Sequence, residues 1–282
     1  MGFWRVIKVL SLGAGVQSTT LLLMSCKGVL PKLDAAIFAD TQWETQAVYE
    51  NLSWIKQEAR KAGIAVHRVS VGSLREHTVS AMVRDDKEKG ERYASMPLRV
   101  KNPDGSEGMI RRQCTSEYKI LPIQKYIKQE ILKVKPRQRL PKQPVIELWM
   151  GISWDEKQRA TMSKELWATK AYPLMEDFNP PYTREMCLAW LKTQYPDKRV
   201  PRSSCIGCPY HSNEEWRELK NVPSEWKDAV MVDNKIRHTD KLRGEAFLHR
   251  ECIPLEDVDL RTSEDMGQTN LWSEECSGYC GI

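Results

Sequence analysis

The sequence predicts an α/β fold: an open, mostly parallel sheet with helices on both faces, followed by a smaller helical part that bears cysteines. Three observations carry this. Short apolar runs alternate with helical patterns from residue 5 to 153, and that alternation is the mark of a parallel sheet. The first run ends in small residues, Gly13-Ala14-Gly15, that lead straight into a helix. After Tyr172-Pro173 the strands give way to helical stretches and turn-rich, cysteine-bearing segments.

Taken in order, "RVIKVLSL" (5–12) reads as a buried strand and Ser18–Cys26 as the helix after it. "LDAAIFAD" (33–40) is a second strand that ends on Asp40. Residues 45–62 carry Val48, Leu52, Ile55 and Ala59 on one helical face, and "GIAVHRVSV" (63–71) is a third strand. A helix is expected around Ser116–Leu132 and a fourth strand at "VIELWMGIS" (145–153). Ligands of such sheets sit beyond the carboxyl ends of the strands. Residues 11–18, Asp40-Thr41 and 151–156 should therefore converge. The polar stretch 84–113, with a turn at Asn102-Pro103-Asp104-Gly105, reads as a long loop or exposed hairpin, and beside a pocket it would be a lid or substrate-binding loop. Three helices follow residue 175: 183–194, then two that Ser212 and Ser224 would cap. The expected division is 1–175, nucleotide-binding, and 176–282, helical.

With 282 residues the chain suits one large domain or two modest ones. Hydrophobic residues make up 41% and charged residues 29%, an ordinary globular balance. The sequence shows no apolar run of the ~18 residues that span a bilayer and no signal-peptide pattern, so a cytoplasmic protein without a membrane partner is expected. A net charge of +5 is compatible with nucleic acid as a partner. Eight cysteines in such a chain are not a disulfide framework. Cys26 and Cys187 sit in apolar helical patterns as core thiols. Cys114, Cys205, Cys208, Cys252, Cys276 and Cys280 lie in polar or turn-rich contexts.

Between a strand and a helix, Gly13–Ser18 reads either as a tight turn or as a phosphate cradle of backbone N–H groups and a helix N-terminus. "SSCIGCPYH" (203–211) holds a Cys-x-x-Cys, which lets two thiolates reach one metal centre: zinc, an iron–sulfur cluster or a redox dithiol. A zinc site would need further ligands, from Cys276 and Cys280 or from His211 and His249. Arg111, Arg112 and Lys119 surround Cys114, where cations favour a thiolate and equally suit phosphate or sulfate.

Four elements in order resemble the phosphoadenosine phosphosulfate (PAPS) reductase-like branch of the adenine nucleotide alpha-hydrolase, or PP-loop, superfamily. Gly13-Ala14-Gly15-Val16-Gln17-Ser18 stands where members carry Ser-Gly-Gly-x-Asp-Ser. Ala39-Asp40-Thr41-Gln42 stands for Val/Ile-Asp-Thr-Gly. Arg111, Cys114, Lys119 and Pro122 match the Arg-x-x-Cys element, and Gly151-Ile152-Ser153 with Glu156 and Arg159 match the Gly-Ile-Arg…Glu…Arg element. The resemblance spans about residues 7 to 210.

It implies a HUP-type sheet whose Gly13, Ala14, Gly15, Gln17, Ser18, Thr19, Asp40, Thr41 and Gly151 bind ATP, or PAPS or adenylylsulfate (APS) as substrate. Arg111, Arg112, Lys119 and Arg159 would contact an anionic substrate. By likeness to the APS reductase layout, Cys114, Cys205 and Cys208 would hold a 4Fe-4S cluster. Either one iron stays open, as in some related tRNA thiolases, or a tail cysteine is the fourth ligand: Cys280, whose small neighbours Gly278 and Gly281 would let the backbone approach sulfide. Cys276, after Glu275 as the reductase thiol follows its Glu, would be the catalytic or sulfur-carrying thiol. The usual Asp is Gln17 here, which leaves magnesium open, and the tail lacks the reductases' Glu-Cys-Gly-x-His. The implied function is an adenine-nucleotide-dependent sulfurtransferase acting on nucleic acid, with a sulfur-donor protein as partner. A PAPS or APS reductase and a non-catalytic nucleotide- or nucleic-acid-binding module with a structural metal are the alternatives.

Overall fold

The structure, a computed structural model, describes residues 5–83, 94–135, 137–239, 242–262 and 265. Strand β1 (Ile7–Leu12) leads into helix α1 (Val16–Cys26), then β2 (Ala35–Ala39), α2 (Gln46–Lys61) and β3 (Ala65–Val69). Helix α3 (Leu74–Val83) and the short strands β4 (Arg99–Lys101) and β5 (Glu107–Met109) come next. A helical run follows, with α4 (Leu121–Tyr126) between the wider turns Thr115–Ile120 and Ile127–Ile131. Strand β6 (Ile146–Met150) precedes a 3-10 turn (Trp154–Arg159), β7 (Ala168–Ala171), α5 (Pro173–Glu176) and α6 (Arg184–Gln194). The chain closes its described part with α7 (Asn213–Lys220), α8 (Pro223–Ile236) and β8 (Glu245–Phe247).

These elements form two compact, interleaved units. The first comprises the chain up to Asp40, Gln46–Ser70 and Ile120–Ser203; the second comprises Thr41–Thr45, Val71–Lys119 and the chain from Ser204. This differs from the expected boundary near 175. Cys187 and Leu191 of α6 and Val200 are buried in the same core as β1 and α1, so the chain to 203 belongs with the sheet.

The first unit is an α/β fold. Its five strands run parallel in the order β3-β2-β1-β6-β7. Both faces are apolar because successive residues point to opposite sides. Leu10, Leu12, Phe38 and Trp149 join one core with α1, α2 and α6. Val9, Ile37, Ala39 and Ile146 join another with Ile123 and Ile127 of the helical run. Cys187 is fully buried, and desolvation pushes its thiol up to about 12; Cys26 is pushed up to about 11, first by burial and then by the Glu58 charge. Strand β7 fills the sheet edge, where "ATKA" gives too short an apolar run to be seen as a strand in the sequence.

The second unit combines the antiparallel sheet β5-β4-β8 with α3, α7 and α8. The turn at Asn102–Gly105 does form, as Gly105 N–H donates to Asn102 O (2.9 Å) with Gly105 at φ +83. Residues 99–109 are thus a paired hairpin, and 84–93 lie outside the described residues. Ser212 caps α7 in a full capping box with Glu215. The expected cap at Ser224 is corrected: α8 starts one residue earlier on Pro223, whose missing N–H suits a first helical turn. Among the described residues no helix is long and apolar enough to cross a membrane.

A buried histidine pins the end of the second unit. His249 is fully buried; its Nδ1 accepts from Glu251 N–H (3.2 Å) and its Nε2 meets Asn213 Oδ1 (3.2 Å). Asn213 in turn donates to the carbonyls of Asp259 (3.3 Å) and Arg261 (2.9 Å). Burial first, and then the Arg250 and Arg99 charges, lower the His249 pKa to about 4. The folded protein therefore binds fewer protons here than the unfolded chain below pH ~6.5, and this contribution is lost as pH falls from about 6.5 towards 4. Thermal unfolding from pH 7 to 4.5 should show a steeper loss of midpoint for the wild type than for His249→Gln, with a difference on the order of 3 kcal/mol at the acid end. Parallel profiles would refute it.

Candidate functional site

In the first unit, β1 pairs with β2 on one side and β6 on the other, so the chain reverses its direction of winding at β1. The carboxyl ends of β1 and β6 flank that switch point, where open α/β sheets bind ligands. Gly13, Ala14 and Gly15 lie there, and α1 starts at Val16 with Gly15 as its cap and no side-chain bond to its free N–H groups. The first helical N–H groups and the helix dipole thus face the strand ends. Ala14 takes φ +54, a left-handed conformation that costs a residue with a Cβ about 1–2 kcal/mol. It is held by Asn51, whose Nδ2 donates to Ala14 O (2.8 Å) and Thr19 Oγ1 (3.0 Å).

Two close approaches leave no room for side chains on this loop. A Cβ on Gly151 would lie 2.9 Å from Ser18 N, and one on Gly15 2.9 Å from Ser203 N. Ser18 Oγ accepts from Gly13 N–H (3.2 Å) and faces Gly15 O (3.3 Å). Gln17 reaches across to the β6 end: its Nε2 donates to Ser153 Oγ (3.3 Å) and Glu156 Oε2 (3.1 Å). Glu156 Oε1 is paired with Arg159 Nη1 (2.5 Å). Residues 13–18 and 151–159 are thus brought together, as the strand order requires.

Three expected nucleotide contacts are placed differently. Thr19 is fully buried and its hydroxyl faces Asn51, so its side chain belongs to the core. Asp40 is 1% exposed and already bonded by Arg68 Nε (2.7 Å) and Tyr49 Oη (2.8 Å). Thr41 belongs to the second unit, where its hydroxyl meets a thiol. Of the four expected substrate cations, Arg159 is buried on Glu156 in the first unit. The others lie in the second: Arg111 is exposed, Arg112 stacks over the Tyr210 ring (5.6 Å), and Lys119 Nζ approaches Glu44 Oε1 (3.7 Å).

The second unit also holds Cys114, Cys205 and Cys208. Cys205 is buried in its core with Cys114 and Ile206 packed there, and the Cys114 charge acts on the Cys205 thiol. Cys208 closes a turn, its N–H donating to Cys205 O (3.1 Å). Cys205 Sγ lies 3.3 Å from Thr41 Oγ1 and 3.7 Å from Glu44 Oε1. Burial, then the Glu44 charge, push this thiol well above its ordinary pKa, against Lys119 and Thr41. Among the described residues no three His, Cys, Asp or Glu side chains converge as a metal cage. Three thiols lie in one unit, and beside Cys205 a buried carboxylate oxygen, Glu44 Oε2, has no hydrogen-bond partner. An unpaired buried polar atom costs about 1–3 kcal/mol. Cys276 and Cys280 lie outside the described residues.

Glu44 is the residue that sequence reasoning missed, although it stands only three positions after Thr41. A backbone bridge joins Glu44 to Cys205, and Ile206 N–H donates to Trp43 O (2.8 Å). Trp43 lies over Gly207, where a Cβ would stand 2.2 Å from the ring, and its Nε1 is fixed by Asp228 Oδ2 (2.7 Å). The two histidines considered as zinc ligands are engaged otherwise: His211 Nε2 on Cys205 O (2.8 Å), and His249 as described.

No protein-family model matches this chain, and no curated protein matches it either.

The Trp43–Gly207 contact gives a direct test. Gly207→Ala should lower stability by about 1–3 kcal/mol in urea titration, because the indole cannot withdraw without losing Asp228. Gly108→Ala, whose Cβ meets open space, should stay within about 0.5 kcal/mol. Equal effects of the two would dismiss the clamp.

Proposed function

We propose that the chain is an adenine-nucleotide-dependent sulfurtransferase-like enzyme of the PAPS reductase-like, HUP-type group, acting on a polyanionic substrate such as nucleic acid. The single observation that carries this is the loop at the switch point. An uncapped α1 start and a left-handed Ala14, on a loop that Gly15 and Gly151 let pack closely against Ser203 and Ser18, suit the approach of a phosphate to the first helical N–H groups. The nucleotide half rests on that geometry; the sulfur half rests on the sequence resemblance and on the three thiols of the second unit.

In this reading the N–H groups of residues 15–18 and the Ser18 hydroxyl bind the nucleotide phosphates. Gln17 holds the Glu156–Arg159 pair beside them, and this neutralised pair keeps a bare carboxylate from repelling the phosphates. Transfer of the adenylyl group to a substrate oxygen releases pyrophosphate, and attack by sulfur then releases AMP. Cys114, Cys205 and Cys208 would hold a 4Fe-4S cluster, which when bound supplies a site for sulfide. Cys276 is the sulfur-carrying thiol of this reading. Arg111 and Arg112, on the hairpin-bearing unit, attract the polyanion, and a donor protein supplies the sulfur.

Calorimetric titration with ATP, PAPS and APS tests the nucleotide half. Ser18→Ala should weaken binding at least about tenfold, the equivalent of one charge-assisted hydrogen bond. Wild-type affinity in that variant, or no binding of any of the three by the wild type, would remove this reading. For the substrate half, Arg111→Gln and Arg112→Gln should each weaken single-stranded RNA or DNA binding and make its salt dependence shallower. Unaltered salt slopes would remove nucleic acid as the substrate.

A further inference from the structure

Among the described residues one Phe, Trp or Tyr side chain is exposed: Trp154, at 45%. It opens the 3-10 turn after β6, next to Ser153, whose Oγ accepts from the Gln17 amide (3.3 Å) of the switch-point loop. The turn is tied to the chain before α6. Trp154 N–H donates to Tyr182 O (2.8 Å), and Asp155 Oδ1 accepts from Arg184 N–H (2.9 Å). The backbone is thus fixed while the indole stays outside the core. Lys157 Nζ lies over its ring, 4.4 Å from the centroid, and orients it by cation–π attraction. Among the described residues the indole N–H has no acceptor and the ring has no aromatic neighbour.

A single exposed apolar residue needs no explanation, but this one stands among unmatched cations. Strand β7 runs parallel to β6, and Tyr172 follows its carboxyl end. Tyr172 Oη accepts from Thr161 N–H (2.8 Å) and donates to Thr161 O (2.6 Å), and Lys170 Nζ donates to Thr161 Oγ1 (2.6 Å). The segment with Met162 and Lys164, both exposed, is thereby laid at the same end of the sheet as Trp154. The acids of this stretch are engaged: Glu156 on Arg159, Glu165 on Trp167 Nε1 (2.6 Å) and Asp155 on the α6 start. Lys157, Lys164 and Lys170 have no carboxylate partner among the described residues. Burial first, and then the Lys164 charge, lower the Lys170 pKa, so two of these cations already repel. An anion laid across them would relieve that repulsion.

An aromatic ring among cations is the pairing that holds single strands: the ring stacks a base and the cations follow the backbone. We propose that Trp154 is a stacking platform for one base of a single-stranded nucleic acid whose phosphates lie on Lys157, Lys164 and Lys170. This rests on the nucleic-acid substrate of the reading above and gives the sheet unit its own contact with that substrate. The strand then passes the carboxyl end of β6, beside the loop proposed to bind the nucleotide phosphates. The three unmatched cations favour a polyanion over an apolar protein face.

Fluorescence anisotropy of a labelled oligothymidylate, and of an abasic strand of the same length, is measured on the full chain. Wild type, Trp154→Ala, Trp154→Phe, Trp154→Leu and Lys164→Gln are compared, with circular dichroism as the check on folding and ATP titration in parallel. Trp154→Ala should weaken oligothymidylate at least about fivefold, the low end for one stacked base. It should leave the abasic strand and ATP unchanged, and Trp154→Phe should recover most of the loss where Trp154→Leu does not. Lys164→Gln should weaken both strands and make the log–log salt slope shallower by about 0.7. Equal affinity of Trp154→Ala and wild type for oligothymidylate overturns the inference and leaves the nucleic-acid reading standing. Recovery by Trp154→Leu would make the contact merely apolar, and an equal loss of ATP would make it the nucleotide's own adenine; either overturns the inference as well. A wild type that binds neither strand overturns both.

Discussion

The pairing of β1 with β2 on one edge and β6 on the other is the constraint from which the sheet unit follows. It makes β1 central, so "VLSL" must be apolar on both faces, and it sets two strand ends side by side with helices leaving in opposite directions of winding. Ser18 can then sit against Gly151 only because neither β6 nor the loop carries a side chain there. A larger residue at 151 would press on the backbone of the helical turn that presents the free N–H groups. Core packing and the proposed phosphate cradle thus depend on the same missing atoms.

The second unit solves a different problem. Among the described residues its sheet has three short strands, and the Cys205 region is fixed by side chains: Trp43 over Gly207, Asp228 on the indole, and Arg75 Nε on the other Asp228 oxygen (2.7 Å). These contacts join the segment 41–45, a five-residue excursion between β2 and α2, to the Cys205–Cys208 turn. The buried Asp233 does similar work nearby, accepting from Leu248 N–H (2.8 Å) and Leu255 N–H (3.0 Å) and pairing with Arg237. Desolvation raises its pKa in spite of those bonds.

Much of the sheet was legible because period and burial coincide. Strands β1, β2, β3 and β6 are apolar on both faces or bounded by clear turns, and α2 shows its buried stripe in Val48, Leu52, Ile55 and Ala59. Strand β7 and helix α3 were not seen, since "ATKA" is four residues long and "LREHTVSAMV" has weak amphipathicity. The unit boundaries were illegible for a topological reason. The chain crosses between units several times, and a boundary search assumes contiguous domains. At the site, the loop and the Cys-x-x-Cys were visible as local spacings. Glu44 was not, because its significance comes from Cys205, 161 residues away.

Gln17 shows how one amide sets the electrostatics of a whole loop. An Asp there would add a carboxylate beside Glu156, and two carboxylates at that spacing would repel unless a cation lay between them. The amide instead donates to Glu156 Oε2 and leaves Oε1 to Arg159, so the existing charge is satisfied from both sides by protein groups. A divalent cation bound at Glu156 would have to displace Arg159 from a buried, short ion pair, while the amide would offer it only a neutral oxygen. The Glu156 charge is therefore neutralised by a side chain, and a phosphate at the proposed loop site would meet N–H groups and a paired carboxylate. On this electrostatic ground, the proposed nucleotide binding to the loop would need no cation at residue 17.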